Sequence, residues 1–455
     1  MFIPVNRLPP EILSRILEYR THECDLVVAT QVCRYWRSTL ISSPSLWTCF
    51  QFQSSHDRDR TLTYLERSKS APIDVSIDTS SAENLDVLES LAPHIARTRS
   101  LIIQASQDIH TASLLFCNPA PLLQHLEISS TSEDVVHLPE NFLGQQAPSL
   151  CSVNFSHICP TLESLFPLPN LTEFYLSLGT TSPFRVGALF LFLSESPLLQ
   201  KVRINVHNRS VQGVSPDKVI LLESLVELYC GYNWASQILP FLRLPRLKRL
   251  RVTSIALRQA QTLTDVLPYG GRALLAGVTK MLYFYNQYTH SNRVELSGDG
   301  VGVSFSALGA MANTTLVDWS PDQTCIPFGQ IEDLKFEGAS PTPTAVPINV
   351  SALENLRVLR VVLRGEEPTK GLLRSLHPGP GAAEVPCRSL QEIEVKHPCW
   401  RSQGPLPRLL VSLVRERKRA GYRLRFVSLV DGRRGYDLDL LEELRKHVGE
   451  VRVRE

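Results

Sequence analysis

Cys151, His157 and Cys159 are close together in the sequence, and their types could bind a metal ion. Thiolates and imidazoles are zinc ligands, but the order C-x5-H-x-C matches none of the common zinc spacings. The ten cysteines include no CxxC pair, which is the usual half of a zinc site. The sequence therefore predicts no metal site and no cofactor.

Patterns that would indicate catalysis are also missing. Neither the GxSxG motif of serine hydrolases nor the HExxH motif of zinc peptidases occurs. The glycine cluster from Gly298 to Gly302 lacks the spacing of phosphate-binding loops, so it predicts a tight turn. The charge run from Arg415 to Arg419 predicts a solvated helix face. We therefore expect no catalytic residues and a protein that is not an enzyme.

The composition restricts the kinds of partner. The chain has 455 residues, of which 43% are hydrophobic and 20% charged, and its formal net charge is +2. Such a chain can bury a large core, and its charge is too small for a general attraction to nucleic acid or anionic lipid. No window approaches the roughly 18 apolar residues of a membrane span. We expect a soluble protein of the cytoplasm and/or nucleus that binds proteins, not nucleic acid or membrane.

The elements that would position a binding site begin near the N-terminus. Pro9 and Pro10 suit a first helical turn, where their missing N–H groups would be unpaired anyway. One stripe of this helix then carries Ile12, Leu13, Ile16 and Leu17. Short helices cannot bury all of their apolar surface among themselves, so part of this stripe is predicted to face a partner.

A second helix is predicted to begin at a capping residue, Asp25. It should run without interruption to the Ser42-Ser43-Pro44 stop, through the apolar positions Leu26, Ala29, Cys33, Trp36 and Leu40. A short third segment closes at Leu46-Trp47. The three elements together form a small N-terminal helical domain.

This pattern resembles the F-box. The resemblance rests on a Leu-Pro-x-Glu-Ile-Leu opening from Leu8 to Leu13, a Val-Cys-x-x-Trp element from Val32 to Trp36, and the closing Leu46-Trp47. It implies binding to Skp1 and, through Skp1, to a cullin and RING ubiquitin ligase. Carried over by position, it implies that Trp36 and Trp47 stabilise the domain and that the Skp1 contacts are Leu8, Pro9, Ile12, Leu13 and Leu17. The alternative is an amphipathic helix that merely caps the following domain.

The rest of the chain repeats the phrase apolar-x-x-apolar-x-apolar. Its copies begin at Leu123, Leu150, Leu171, Leu199, Leu225, Leu247, Ile331, Leu356 and Leu390. Spacings of roughly 20 to 30 residues are typical of leucine-rich repeats, in which each phrase forms a short strand that is buried only against its neighbours. We predict an α/β fold: a three-helix F-box, then an irregular leucine-rich-repeat solenoid with a parallel curved sheet and helices on its convex side.

Two regions interrupt the repeat. Residues 254–330 predict weak repeats with a hairpin-like insertion, and the Pro- and Gly-rich segment from Gly365 to Pro386 predicts a loop. Beyond them, a helix–strand–helix–strand pattern from Pro407 to Val453 predicts a cap for the open end of the array. The expected domains are therefore an F-box at 1–50, a repeat body at 51–405 and a capping segment at 406–455.

The repeat also predicts a binding face. In each phrase, the residues on either side of the middle apolar position point away from the core, towards the concave surface. Near the middle of the array these residues include Tyr175, Arg203, Tyr229 and Arg251. Tyr and Arg are favoured interface anchors, so we expect a protein-binding patch here. The alternative is that these are ordinary strand residues and that loops hold the partner.

These patterns predict a non-catalytic adaptor that brings an unidentified target protein to a Skp1-cullin-F-box ubiquitin ligase. The order of an N-terminal F-box and directly following irregular repeats resembles fungal members of this class. One alternative is a scaffold that works outside any ligase. Another is a repeat body that binds a small ligand jointly with its target.

Overall fold

The structure is a computed structural model of the chain. It describes residues 8–20, 23–52, 58–78, 85–105, 116–131, 136–139, 141–160, 168–179, 185–206, 219–231, 235–253, 267–286, 291–308, 326–339, 352–364, 366–378, 385–397, 404–431 and 437–454. The chain divides into two compact units, Met1–Leu225 and Val226–Glu455, which are described in turn. The predicted domain boundaries at residues 50 and 405 remain predictions.

The first unit opens with helices and continues with alternating strands and helices. Its helices are Pro10–Arg20 (α1), Glu23–Val32 (α2), Arg34–Ile41 (α3), Arg58–Arg67 (α4), Leu85–Leu91 (α5) and Val186–Ser194, with 3-10 turns at Pro44–Trp47, Ala92–Arg97 and Phe142–Gln145. Its strands are Cys49–Phe52 (β1), Ile73–Asp78 (β2), Thr98–Ala105 (β3), His125–Ser130 (β4), Val136–His137 (β5), Ser152–Ser156 (β6), Ile158–Cys159 (β7), Glu173–Leu178 (β8), Lys201–Val206 (β9) and Ile220–Leu221 (β10). Strands β1, β2, β3, β4, β6, β8 and β9 pair side by side, all in parallel.

The second unit has the same alternation. Its strands are Glu227–Gly231 (β11), Leu242–Arg243 (β12), Arg249–Thr253 (β13), Lys280–Asn286 (β14), Ser291–Gly298 (β15), Val301–Leu308 (β16), Asp333–Ala339 (β17), Val358–Arg364 (β18), Glu392–His397 (β19), Phe426–Asp431 (β20) and Glu450–Arg454 (β21). Its helices are Ala235–Ile238, Glu366–Ser375, Pro405–Arg419 and Leu438–Arg445, with 3-10 turns at Leu239–Phe241, Gly271–Leu275 and Phe328–Gln330. The C-terminal pattern from Pro407 to Val453 thus forms the helices and strands that the sequence predicts.

An antiparallel hairpin interrupts the parallel pairing of the second unit. Strand β13 pairs in parallel with β16, the β16–β15 and β15–β14 pairs are antiparallel, and β14 returns to parallel pairing with β17. Asp299 and Gly300 form the turn between β15 and β16 with φ values of 40° and 78°. Two consecutive residues with positive φ are typical of a tight hairpin turn. The prediction of a tight turn and a hairpin insertion is confirmed.

The repeated phrase forms the core of both units. All nine copies place their last two apolar residues in a strand, and all three apolar positions of every copy are buried. The alternate strand residues stay partly exposed, as in the pattern of β8. The chain is therefore a mixed α/β protein with N-terminal helices followed by mostly parallel strands.

Two predicted elements differ from the structure. The long second helix is divided at Cys33, whose φ of −159° is extended and whose Sγ accepts a hydrogen bond from the Trp36 N–H as the cap of α3. The predicted loop from Gly365 contains the helix Glu366–Ser375. Lys370 there pairs with Glu366 and Glu367 one turn earlier, and Leu372 and Leu373 of the same helix are buried, so ion pairs and apolar packing both stabilise it.

A buried arginine attaches this region to the C-terminal helices. The Arg417 guanidinium is inaccessible to solvent and donates to the carbonyl oxygens of Pro386 and Cys387 at 2.7 and 2.8 Å. Burial lowers the pKa of Arg417 and raises the pKa of the Cys387 thiol to about 12. The thiol is therefore neutral, and the two carbonyl oxygens are the acceptors that stabilise the buried charge.

Among the described residues, no helix is both long enough and apolar enough to cross a bilayer.

Candidate partner-binding site

The first candidate site is an apolar surface on α1. Ile12 and Ile16 leave 45% and 48% of their surfaces exposed, and they lie one helical turn apart on the same face. Pro9 is exposed at the start of the helix, and Leu8 and Leu17 are half-buried. Large exposed aliphatic side chains at this spacing are suited to burial against a partner.

Leu13 does not belong to this surface. The sequence pattern groups it with the expected partner contacts, but its side chain is only 1% exposed. The helix α1 contacts α3 and the turn Pro44–Trp47, and Leu13 is buried in the domain that these elements form. Leu13 therefore stabilises the N-terminal domain from within, and its expected contact with Skp1 remains a prediction.

A second pair of exposed aliphatic residues lies on α2 and was missed by the sequence analysis. Val28 and Val32 are 62% and 58% exposed, again one turn apart. The buried positions Leu26 and Ala29 lie on another face of this helix. The i, i+4 spacing of the two valines, on a face that does not include Leu26 or Ala29, was the signal that could have identified them.

Local polar contacts hold these helices in place. The Pro9 carbonyl oxygen accepts the N–H groups of Ile12 and Leu13, which starts α1, and the Tyr35 hydroxyl donates to the Leu8 carbonyl oxygen. Hydroxyl groups join α1 to the segment after α3. Their contacts are Ser14–Ser43 at 2.8 Å and Ser45–Glu18 at 2.5 Å. The exposed face of α1 is thus fixed in orientation before any partner binds.

Trp47 connects this N-terminal domain to the following strands and helices. Its ring is fully buried, its Nε1 donates to the Leu40 carbonyl oxygen at 2.8 Å, and Tyr64 of α4 packs against it edge-on at 4.8 Å. The Arg67 guanidinium lies 4.5 Å from the ring centre. Trp36 is half-buried, and its Nε1 has no hydrogen-bond partner among the described residues. The expected structural role fits Trp47 in particular.

Comparison of the sequence with protein-family models identifies this N-terminal domain. Residues 5–53 match the F-box-like family model. The match includes α1, α2, α3 and the Pro44–Trp47 turn, and it continues into β1. The exposed pair on α1 and the buried Trp47 therefore belong to an F-box-like domain. No curated protein matches the chain.

The second candidate site lies on the strand face opposite the core, here called the open face. In the first unit, Tyr175 of β8 is in register with Arg203 of β9, and the guanidinium carbon lies 5.1 Å from the Tyr175 ring centre. Two residues earlier in each strand, Lys201 pairs with Glu173 at 2.6 Å. A guanidinium over the face of a tyrosine ring is attracted by the ring, which favours this position of the Arg203 side chain.

The second unit contains the same arrangement. Tyr229 of β11 is in register with Arg251 of β13 at 5.6 Å, and Arg249 pairs with Glu227 at 2.6 Å two residues earlier. The Tyr229 hydroxyl also contacts the Thr253 hydroxyl at 3.0 Å. Each unit thus brings together two of the four open-face residues that the sequence identified, and their role in binding a partner remains a prediction.

The cysteines and histidines form no metal-binding cluster in the described part of the chain. Cys151 donates through Sγ to the Gln124 carbonyl oxygen, Cys159 is buried, and His157 is exposed. Burial and the Asp74 carboxylate raise the pKa of the Cys49 thiol, which makes it a weaker nucleophile. Within the described ranges, no group of three or more His, Cys, Asp or Glu residues could hold a metal ion.

Proposed function

We propose that this chain is the substrate-recognition adaptor of an SCF-type E3 ubiquitin ligase. The observation that carries the proposal is the match of residues 5–53 to the F-box-like family, together with the exposed Ile12 and Ile16 on its first helix. F-box domains generally bind Skp1. In this proposal Leu8, Pro9, Ile12 and Leu17 contact Skp1, with Ile16 as a further contact.

The physical driving force would be burial of this aliphatic surface. Covering one large aliphatic side chain is worth roughly 1.5–3 kcal/mol relative to leaving it in water. Ile12 and Ile16 are each about half exposed in the free chain, so each retains part of that free energy for binding. Val28 and Val32 on α2 add a second apolar pair of the same kind.

The chain itself would contribute proximity and no chemistry. F-box proteins are generally non-catalytic substrate receptors, and an adaptor accelerates transfer by holding a target near the charged ubiquitin carrier. The cullin and RING subunits would join through Skp1. We place the assembly in the cytoplasm and/or the nucleus, and the resemblance to fungal members of the class remains a prediction.

In this proposal the remainder of the chain is an irregular leucine-rich-repeat solenoid that captures the target. Support comes from the nine phrases whose apolar residues are all buried and from the parallel pairing of their strands. Parallel strands that bury one side and expose the other present a continuous surface to a partner. The open face with its two Tyr–Arg pairs would form part of the target site.

A reconstituted ubiquitination reaction tests the proposed function. The purified chain would be combined with Skp1, cullin, RING subunit, ubiquitin and the activating and carrier enzymes, with a target identified by crosslinking to the chain. We expect target ubiquitination with the wild-type chain and none with Ile12→Asp/Ile16→Asp. Ubiquitination at the same rate with this variant would contradict the adaptor role, and target binding without any ubiquitination would favour a scaffold that works outside a ligase.

A further inference from the structure

The second unit carries a concentrated block of positive charge. Between Arg243 and Arg251 the sequence reads RLPRLKRLR, with five basic residues and no acidic one. The whole chain is nearly balanced, with 47 basic and 45 acidic residues, so this stretch is not a consequence of overall composition. We call these nine residues the basic block.

The cations of the basic block are exposed, and most are not neutralised. All five basic side chains are exposed. Arg249 forms an ion pair with Glu227, whereas Arg243, Arg246, Lys248 and Arg251 have no ion pair with any described residue. Cations left without carboxylate partners in one short segment make a local positive potential that a polyanion can neutralise.

A cleft opens beside the basic block. Its volume is about 600 Å³, and its walls include Arg243, Leu244, Tyr269 and Leu274. The Tyr269 N–H donates to the Leu242 carbonyl oxygen at 2.9 Å, and Tyr269 pairs with Arg243 in an isolated parallel β-bridge. The exposed Tyr269 is thereby held next to Arg243. The cleft combines aliphatic and aromatic side chains with polar surface, and a cavity of this volume can hold one side chain of a bound segment. An aliphatic side chain flanked by acidic residues would match both the cleft and the adjacent charge.

We propose that the basic block and this cleft together bind an acidic segment of the target protein, with one aliphatic side chain of the segment seated in the cleft. This inference rests on the proposed function, because it takes the occupant to be a target. Carboxylates of Asp and Glu and the phosphate of a phosphorylated residue share the chemistry that arginine and lysine recognise. Both kinds of anion are therefore included in the test.

The surroundings favour a peptide over a nucleic acid. Glu227 lies on the neighbouring strand, and Asp299 lies next to Gly277, a residue of the cleft wall, so one carboxylate lies near the basic block and another near the cleft. A phosphate backbone with one charge per nucleotide would meet these carboxylates repeatedly. The aliphatic side chains of the cleft wall also could not donate hydrogen bonds to the phosphates of a nucleic acid. A peptide can place its acidic residues against the basic block and its apolar residue against the wall.

Binding of labelled peptides to the full chain tests this inference by fluorescence anisotropy. The probes are an all-glutamate peptide, the same peptide with one central leucine, and a version in which serine phosphates replace the glutamates around that leucine. We expect the leucine peptide to bind more tightly than the all-glutamate peptide. Raising the ionic strength from about 0.05 M to about 0.3 M should weaken both, because exposed charges are screened.

Two variants separate the charge from the cleft. Arg246→Glu/Lys248→Glu should weaken binding of every acidic peptide by about tenfold or more, because attraction becomes repulsion at two positions. Tyr269→Ala should weaken the leucine peptide by about threefold and leave the all-glutamate peptide unchanged. The matched control is Lys396→Glu/Arg408→Glu, two exposed cations of the same unit with the same change in net charge.

Peptide binding by these variants can support or contradict the proposed acidic-segment site. Weakening by Arg246→Glu/Lys248→Glu with near wild-type binding by the control supports it, and a stronger response to the phosphorylated peptide would identify phosphate as the preferred anion. Equal weakening by the control, or tighter binding of a labelled single-stranded oligonucleotide than of any acidic peptide, would overturn it. The Ile12→Asp/Ile16→Asp variant should bind the peptides normally, so failure of the inference and failure of the adaptor role are distinguishable.

Discussion

The guanidinium carbon of Arg251 lies 5.6 Å from the ring centre of Tyr229, its partner in the strand register. Arg203 and Tyr175 repeat this relationship at 5.1 Å in the other unit. In both pairs a glutamate–cation ion pair lies two residues earlier on the same strands. The alternating strand pattern thus places an aromatic ring and a cation side by side on the open face of each unit.

Removal of one of these pairs should affect binding and not folding. An exposed cation–π contact is worth about 0.5–1 kcal/mol, so Tyr229→Ala/Arg251→Ala should change Tm by about 3 °C or less. Crosslinking of the target to the chain should fall strongly, because Tyr and Arg are the usual interface anchors. The matched variant Tyr175→Ala/Arg203→Ala tests the other unit. Unchanged target capture by both variants would remove the open face from the binding site.

Replacement of Trp47 should destabilise the F-box-like domain. Trp47→Ala removes a fully buried ring that packs against Tyr64, and such changes cost about 3–5 kcal/mol. Trp47→Phe keeps most of the packing and loses mainly the hydrogen bond to the Leu40 carbonyl oxygen, which is worth about 1 kcal/mol. Urea unfolding followed by circular dichroism measures both. Equal stability of the two variants would show that the ring packing contributes little.

Gly298 should resist substitution because of a close backbone approach. A Cβ at this position would overlap the Gly277 carbonyl oxygen, so Gly298→Ala must displace the backbone of the hairpin. Gly302→Ala is the matched control, since its Cβ would meet nothing within 4 Å. We expect a loss of about 2 kcal/mol or more for the first variant and about 0.5 kcal/mol or less for the second. Similar urea unfolding midpoints for Gly298→Ala and Gly302→Ala would show that the hairpin accommodates a Cβ at residue 298 without loss of stability.

Glu443 should make stability depend on pH in the acidic range. Hydrogen bonds from Lys446, Arg415 and His447 hold the pKa of Glu443 at about 2, below the ordinary value of 4.5. A depressed pKa in the folded state gives stabilisation that is complete above the unfolded pKa and is lost as the pH falls towards the folded pKa. The Tm difference between wild type and Glu443→Gln should therefore be largest above about pH 5 and should shrink between about pH 4.5 and 2.

A neighbouring glutamate provides the control for this pH experiment. Glu442 is exposed, and Glu442→Gln removes the same charge from the same helix without removing the ion pairs of Glu443. We expect its Tm to follow that of the wild type across the whole range. A Tm difference for Glu443→Gln that stays constant with pH would show that the ionised carboxylate does not contribute.

The strand core could be predicted because its signal is local. In a strand, side chains alternate between faces, so Phe174 and Leu176 must lie on one side and Tyr175 on the other whatever the rest of the chain does. The same rule placed Tyr175, Arg203, Tyr229 and Arg251 on one face, but their contacts in two pairs depend on the strand register. The hairpin turn at Asp299 and Gly300 was likewise predictable, because glycine-rich turns have a short-range backbone requirement.

Features that depend on non-local packing or on small energy differences could not be predicted in this way. The sequence pattern shows that Ile12, Leu13 and Ile16 lie on one side of the helix α1. Which of them is buried depends on where α3 packs, and that contact buries Leu13 and leaves the other two exposed. The break at Cys33 depends on a single capping contact to the Trp36 N–H. The helix after Gly365 forms because its ion pairs and its buried leucines outweigh an unfavourable composition.

The central claim is that the exposed face of α1 binds Skp1, and direct binding of purified Skp1 to the full chain tests it. The wild type is compared by calorimetry with Ile12→Asp/Ile16→Asp and with Leu191→Asp/Leu438→Asp, a matched pair of exposed leucines outside the F-box-like domain. Circular dichroism should show all three folded. We predict a one-to-one complex for wild type and control and at least a hundredfold weaker binding for the α1 variant. No binding by the folded wild type, or equal binding by the α1 variant, would contradict the account.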